Sequence, residues 1–418
     1  MNKKLWTKGF TLLIISTILS AIGGEALYVP LSLAVFEKTQ SAFLSSLMFM
    51  TSFLPDMLLS IFLGPVVDKL NKKKTVICLD ILFVLFYSFS GFFLGKYGFQ
   101  YGFLLAFGLG IAVLSMVYQL AFQSWYPDVM PKGQEQAAYS VYNLIYPLIA
   151  VAMAPISIAL YKWIGLSNMF YVMAGALVLS ICIESFIPYV HHVEQAQKEE
   201  SYKQSLQAGF SYVKNHKGIL YILIYVAFTN GISEASVMFR QWFFQSAPHL
   251  NEILLGTVIS ASMVARVIAS ALNTKIKVPK EKRYPVTKWV YLLYEPLTSI
   301  SLFLGYPFII AVNMLANFSA QFTATLRQAA FANYVERNMR ARVNSIMGFL
   351  ISVSFITSYL LAGIMGEIMP YRIASLLLAG VNCVGVYFLI IRTKAHVKPV
   401  YESERTEETE EAEENEAK

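Results

Sequence analysis

One feature dominates what this chain can become: apolar runs of about 20 residues return twelve times. Each is long enough to cross roughly 30 Å of hydrocarbon as a helix. In the first half they fall at about 9–36, 41–63, 75–95, 99–125, 137–162 and 168–189. In the second half they fall at about 218–244, 252–274, 286–304, 307–332, 344–366 and 370–391. Backbone groups inside a bilayer must be satisfied within the span, so helices are expected and the fold class is all-α integral membrane, with twelve helices in two bundles of six. Composition agrees, since 56% of the 418 residues are hydrophobic, only 14% are charged, and 30 Phe and 25 Tyr are present. A soluble globular domain is excluded.

The start of the chain imitates a secretory signal, with Lys3, Lys4 and Lys8 ahead of an apolar run. Hydrophobicity resumes past Gly23, Gly24 and Glu25 as far as Phe36, which makes one uncleaved helix the expected reading. The net charge of +7 divides into an acidic tail from Tyr401 onward, at −7, and +14 over residues 1–400. Those basic groups sit in loops between apolar runs, so they report topology, and no nucleic-acid partner is expected. With the N-terminus inside, 27 Lys and Arg collect on the cytoplasmic side, against Lys38, Lys96 and Lys162 on the other. Arg240, Arg266 and Arg372 are left within or near the outer ends of helices. The expectation is a multi-pass protein of the plasma membrane with both termini cytoplasmic.

Domain organisation follows. Residues 1–190 form the first six-helix bundle and residues 218–392 the second. The joint, 191–217, carries Tyr202, Leu206, Phe210 and Val213 at helical spacing, which predicts an amphipathic helix along the inner membrane face; a disordered linker is the alternative. Residues 393–418 are expected to be a disordered acidic tail. Cys78, Cys182 and Cys383 lie in apolar runs without CxxC spacing and read as small core residues.

Between the second and third runs lies a basic hairpin, Gly64 to Lys74, with Asp68, Lys69, Asn71, Lys72 and Lys73 inside it. Gly64 permits close helix approach, Pro65 fixes a dihedral near the helix end, and Asn71 tolerates a tight turn. The spacing Gly-x-x-x-Asp-Lys-x-x-Lys-Lys resembles the loop signature between helices 2 and 3 of the major facilitator superfamily, with Asn71 where that signature usually has Gly. The segment Ser205 to Lys217 is similar to the stretch before helix 7 in the branch of macrolide-efflux-type pumps and enterobactin-type siderophore exporters. Asp80, the turn Pro127-Asp128-Val-Met-Pro131, and the loop Val335 to Val343 with Arg340 and Arg342 resemble further pieces of that branch. The chain departs from the pattern at helix 5, which keeps Pro155 without its glycines, at helix 8, and at Glu336 and Ala341. Helix 4 lacks the mid-helix arginine of other drug/proton antiporters. These losses leave the expected fold and bear on the coupling mechanism.

A charge at mid-membrane costs at least about 2.5–3.5 kcal/mol, so each one there calls for a cavity, a partner or a proton. Glu25 and Glu234 lie near the middles of the equivalent first and seventh helices, and the resemblance implies that they face the central cavity. A structural hydrogen-bonded role is the alternative for both. Asp56 and Arg266 sit at matching depths in the second and eighth helices and read first as a structural ion pair; Glu295 precedes Pro296 within the ninth. Gly64, Asp68, Lys69, Lys72, Lys73, Asp80, Asp128, Arg340 and Arg342 are expected to form a cytoplasmic gate. Tyr139, Tyr142, Asn143 and Tyr146 are candidates to line a substrate cavity, with helix packing or an interfacial belt as the competing role.

No Gly-x-x-x-x-Gly-Lys-Ser/Thr, Gly-x-Ser-x-Gly or His-Glu-x-x-His motif occurs, so no ATPase or hydrolase chemistry, metal site or cofactor is expected. The sum is a proton-coupled secondary transporter in the lipid bilayer, exporting a small amphipathic compound of macrolide-, drug- or siderophore-like type. An uptake carrier or uniporter is the alternative within transport, and a non-transporting membrane sensor or scaffold is the alternative outside it.

Overall fold

The computed structural model describes residues 5–55, 57–59, 70–131, 134–188, 202–273, 276, 278–336 and 339–403, without the side chains of a few helical residues such as Glu25, Asn143 and Ala341. The described residues are helical with no strand among them. In chain order the helices are α1 (Lys8–Thr39), α2 (Ala42–Thr51), α3 (Lys72–Tyr97), α4 (Tyr101–Val129), α5 (Glu135–Ser185), α6 (Tyr202–Asn215) and α7 (Lys217–Ser246). They continue as α8 (Glu252–Asn273), α9 (Lys280–Ser301), α10 (Tyr306–Tyr334), α11 (Arg340–Ile368), α12 (Tyr371–Val386, prolonged by a π turn over Tyr387–Ile391) and α13 (Lys394–Tyr401).

Nine helices among the described residues are long and apolar enough to span a bilayer. Three further facts account for twelve spans. Gly165, at φ 77°, breaks α5 into two spanning pieces, because its left-handed backbone cannot continue a helix. The apolar α2 is the described start of another span, and α9 is long enough to cross but too polar to be counted on hydropathy.

Local chemistry sets the ends. Thr7, Ser41 and Asn71 cap α1, α2 and α3, their side-chain oxygens accepting from the amides of Phe10, Leu44 and Lys74 at 3.3, 3.2 and 3.1 Å. Gln40 closes α1 in the left-handed region, and Gly98, at φ 72°, closes α3. Along α3 one stripe, Leu85, Phe89 and Phe92, is more than half exposed, while Phe83, Tyr87, Gly91 and Leu94 are buried. In a multi-pass protein the exposed stripe faces lipid. Cys78 and Cys182 are exposed too, and only Cys383 is half-buried, so the expectation of three core cysteines fails: the apolar runs that hold them turn an outer face to hydrocarbon.

Contacts divide the chain into two compact units. The first comprises Met1–Gln197, Gln241–Met263 and Tyr359–Ile368; the second comprises Lys198–Arg240, Val264–Ser358 and Met369–Lys418. In the first, α5 packs chiefly on α1 and α3. Its contact with α3 is close because Gly91 has no side chain: a Cβ there would lie 3.0 Å from the Tyr171 ring, and Ser167 Oγ donates to the Gly91 carbonyl at 2.7 Å. In the second, α9, α10 and α12 pack around a core of Ile222, Val226, Phe331 and Val386.

The tail begins differently from expectation. Residues 394–401 are helical, with Val397, Val400 and Tyr401 fully buried in the core of the second unit. Their i, i+3, i+4 spacing gives α13 an apolar stripe that outweighs the acidic composition following it. Residues 404–418 lie outside the described residues.

Candidate functional site

The second unit holds a polar cluster inside its spans. Glu295 of α9 is completely buried, and Ser233 and Ser236 of α7 both donate to its carboxyl, Ser236 at 3.0 Å. Glu234 and Arg240, also on α7, add their fields at Glu295, and Tyr294 lies beside it. Arg240 Nη1 donates to Asn313 Oδ1 of α10, and the Asn313 amide donates to Ser301 Oγ at 3.1 Å and to the Ile309 carbonyl at 2.8 Å. The Arg240 Nε is buried with no hydrogen-bond partner among the described residues. Two of the expected carboxylates, Glu234 and Glu295, thus share one neighbourhood with an arginine that its linear position had placed near a helix end.

A second network surrounds Arg327 of α10. Its Nη1 donates to the Tyr291 hydroxyl at 3.0 Å, and that hydroxyl meets Tyr401 Oη of α13 at 3.0 Å. Burial, and then the Tyr291 phenol, hold the Tyr401 phenol well above its ordinary pKa, so it remains protonated.

In the first unit Asp80 of α3 is 1% exposed, and its carboxyl hydrogen-bonds to that of Glu184 in α5, itself completely buried. Asp80 therefore lies inside the bundle, and of the charges with which its sequence position grouped it Lys73 reaches the field of its partner Glu184. Ser180 Oγ donates to Glu184 at 3.4 Å and also contacts Ser20 Oγ at 3.0 Å. Among the other expected gate groups, Lys72 pairs with Asp128 at 3.7 Å, and Lys73 Nζ donates to the carbonyls of Ser185 and Ile187 at 3.0 and 2.6 Å. Arg340 donates through Nε to the Val335 carbonyl at 3.1 Å, and Arg342 reaches Met339 Sδ at 3.6 Å, both within the second unit.

Asp56, Gly64, Asp68 and Lys69 lie outside the described residues, as do the side chains of Glu25 and Asn143. Arg266 is exposed and donates to Gln321 at 3.3 Å. Tyr139, Tyr142 and Tyr146 form one aromatic ladder: Tyr142 stands 4.8 Å from Tyr126 and 6.3 Å from Tyr146, and Tyr139 stands 5.4 Å from Tyr126. Tyr139 and Tyr146 are nearly half exposed, whereas Tyr142 packs on Phe122 and Tyr126 of α4.

Within the first unit, the end that holds Phe36 to Ser46 is closed by segments from much later in the chain. Gln241 donates to Ser32 at 2.7 Å, Trp242 Nε1 donates to Ser45 at 3.2 Å, and Gln245 donates to the Leu33 carbonyl at 3.2 Å. Glu367 accepts from Ser41 Oγ at 2.6 Å and from the Phe43 amide at 3.0 Å, so a carboxylate of α11 caps α2. Lys162 bridges Glu37 and Glu252 at 3.2 Å each, beside a cavity of about 320 Å³ lined by Leu94, Phe99, Tyr161 and Lys162. Gly256 of α8 lies close to the backbone of α5, where a Cβ would stand 2.9 Å from Pro155 Cα.

Long apolar helices that bury carboxyls within their spans define a helical multi-pass membrane protein. The chain belongs to the Major Facilitator Superfamily, whose profile matches residues 13–293. It is a transporter and not an enzyme. No curated protein matches the chain by sequence. Among solved structures, a mutant of the nucleoside transporter NupG superposes with a TM-score of 0.71 at 12% identity, covering 91% of this chain and 99% of that one. A bacterial homologue of the iron transporter ferroportin, in an inward-facing state, gives 0.70 at 12%, covering 94% and 98%. The POT family transporter PepTSo gives 0.67 at 12%, with the same coverage. At this identity the likeness carries the twelve-helix fold.

Proposed function

We propose that the chain is a proton-coupled exporter of a small amphipathic compound, of macrolide-, drug- or siderophore-like type, working by alternating access. The observation that carries this reading is the cluster of buried Glu295 with half-buried Glu234 and Arg240. Glu295 is completely buried within a span, where an uncompensated charge is costly, and Arg240 close by offers a balancing charge to its carboxylate. A purely structural site would be served more cheaply by apolar side chains. Glu234 and Glu295 are the coupling carboxyls in this reading, and Arg240 their counter-charge.

Residues 1–190 and 218–392 are proposed as the two moving bundles, joined by 191–217, in a plasma membrane with both termini cytoplasmic. The excess of Lys and Arg on one side supports that orientation. The resemblance of the 205–217 and 335–343 segments to efflux-type carriers supports export over uptake. Lys72, Lys73 and Asp128 at one end of the first unit, with Arg340 and Arg342 in the second, are assigned to the cytoplasmic gate.

The test is substrate-stimulated proton movement in vesicles that hold the purified chain, screened over amphipathic antibiotics and iron chelators. A flux that one compound class elicits, and that Glu234→Gln/Glu295→Gln abolishes, supports antiport and names the class. Saturable binding without flux refutes proton coupling.

A further inference from the structure

We infer that Asp80 and Glu184 form a separate proton-binding site in the first unit, holding one exchangeable proton between two carboxyls. This rests on the proton-coupled reading above for its use, but its test needs no substrate.

Two observations carry it. The carboxyls hydrogen-bond to each other, which requires a proton on one of them, since two carboxylates have only acceptors. Beside that bond, both side chains are almost wholly buried, and Asp80 Oδ2 and Glu184 Oε2 meet no other donor among the described residues. A pair kept only for packing would have its oxygens satisfied or be replaced by neutral groups. Neighbouring hydroxyls are engaged elsewhere: Ser16 Oγ donates its one proton to the Leu13 carbonyl at 2.9 Å, and Ser20 Oγ meets Ser180 Oγ at 3.0 Å.

The surroundings suit a proton that comes and goes. From α3, the Lys73 ammonium faces Glu184 and the Tyr87 phenol faces Asp80. From α4, Tyr118 faces both carboxyls, with Tyr146 of α5 beyond it. Lys73 is the lone cation among these groups, held on the carbonyls of Ser185 and Ile187, one and three residues after Glu184. When the shared proton leaves, the added negative charge appears beside that ammonium. Lys73 also sits in the first turn of α3 next to exposed Lys74, which gives the proton a short way to water.

Infrared spectroscopy of the full chain in lipid, without substrate, tests this in H2O and D2O from mildly acidic to mildly alkaline buffer. The expected result is a protonated-carboxyl band that shifts in D2O and shrinks as the pH rises. It is lost in Asp80→Asn/Glu184→Gln and kept in Glu295→Gln. If the double variant does not fold, Asp80→Asn alone, whose amide donates to Glu184 in place of the acid, should lose the titrating band. Three results overturn the inference: the same band in the Asp80 and Glu184 variants, a band that neither exchanges nor titrates, or a band displaced by sodium or calcium at fixed pH. A titrating band in a protein that shows no substrate-driven proton flux would leave this inference standing and sink the proton-coupled export reading alone.

Discussion

Substituting Gly256 probes the closed end of the first unit directly. A Cβ at this position would lie 2.9 Å from Pro155 Cα, 3.2 Å from Ile158 Cδ1 and 3.3 Å from the Ala154 carbonyl. Two of those three neighbours are backbone, which cannot turn aside as a side chain does. Gly256→Val must therefore push α8 from α5, at about 1–3 kcal/mol for overpacking. The same shift stretches the bond from Ser260 Oγ to the Val151 carbonyl, now 2.7 Å, worth about 0.5–1.5 kcal/mol. If the contact exists only while this end is closed, a bias of about 1–3 kcal/mol raises the open-to-closed ratio roughly 5- to 150-fold. Ser46 is completely buried at this end, and its hydroxyl bonds only its own helix, to Phe43 O at 2.8 Å. Ser46→Cys, in a chain with Cys78, Cys182 and Cys383 replaced, is thus a local reporter. Its reaction with a water-soluble maleimide should speed up in Gly256→Val by a factor in that range. An unchanged rate with an unchanged unfolding temperature would refute the argument that the glycine is required by close packing.

Other perturbations separate strong contacts from weak ones. Glu295→Ala orphans Ser233 and Ser236 and should destabilise the detergent-solubilised protein by roughly 1–3 kcal/mol, while Glu295→Gln, which keeps an acceptor, should unfold closer to the parent. Tyr401→Phe removes a buried hydroxyl from the Tyr291 and Arg327 network; about 1–3 kcal/mol lost there should show as faster proteolytic cutting around α13. Lys162→Met breaks both bridges to Glu37 and Glu252, yet these are half-exposed ion pairs worth about 0–1 kcal/mol, so thermal unfolding should barely move.

The spans were legible because bilayer thickness imposes a length that any apolar run must meet, and Gly165 separates the two runs that lie within α5. Glu295 was legible as an acid stranded among apolar residues. Its partners were not, since Ser233 lies 62 residues away and hydroxyls are common in spans. Arg240 was read by its distance from the helix end, whereas its bond to Asn313 is a matter of which face it occupies. Glu184 escaped notice because it lies one residue before the end of α5, where an acid usually means water. Only the rotation of α5 against α3 brings it onto Asp80. The opening turns of the tail were misread for the opposite reason: the nine Glu that follow Tyr401 masked the short stripe of Val397, Val400 and Tyr401.

That stripe bears on how the protein is made. The Tyr291 hydroxyl pairs with a residue synthesised 110 positions later. At about 5–20 residues per second, roughly 5–20 s separate the two on the ribosome. Until α13 arrives, Tyr291 and Arg327 wait within a half-built bundle, lacking the phenol that completes their network. A chain halted after the last span would expose that gap, and so would carry a mark by which quality control can tell an unfinished transporter from a finished one.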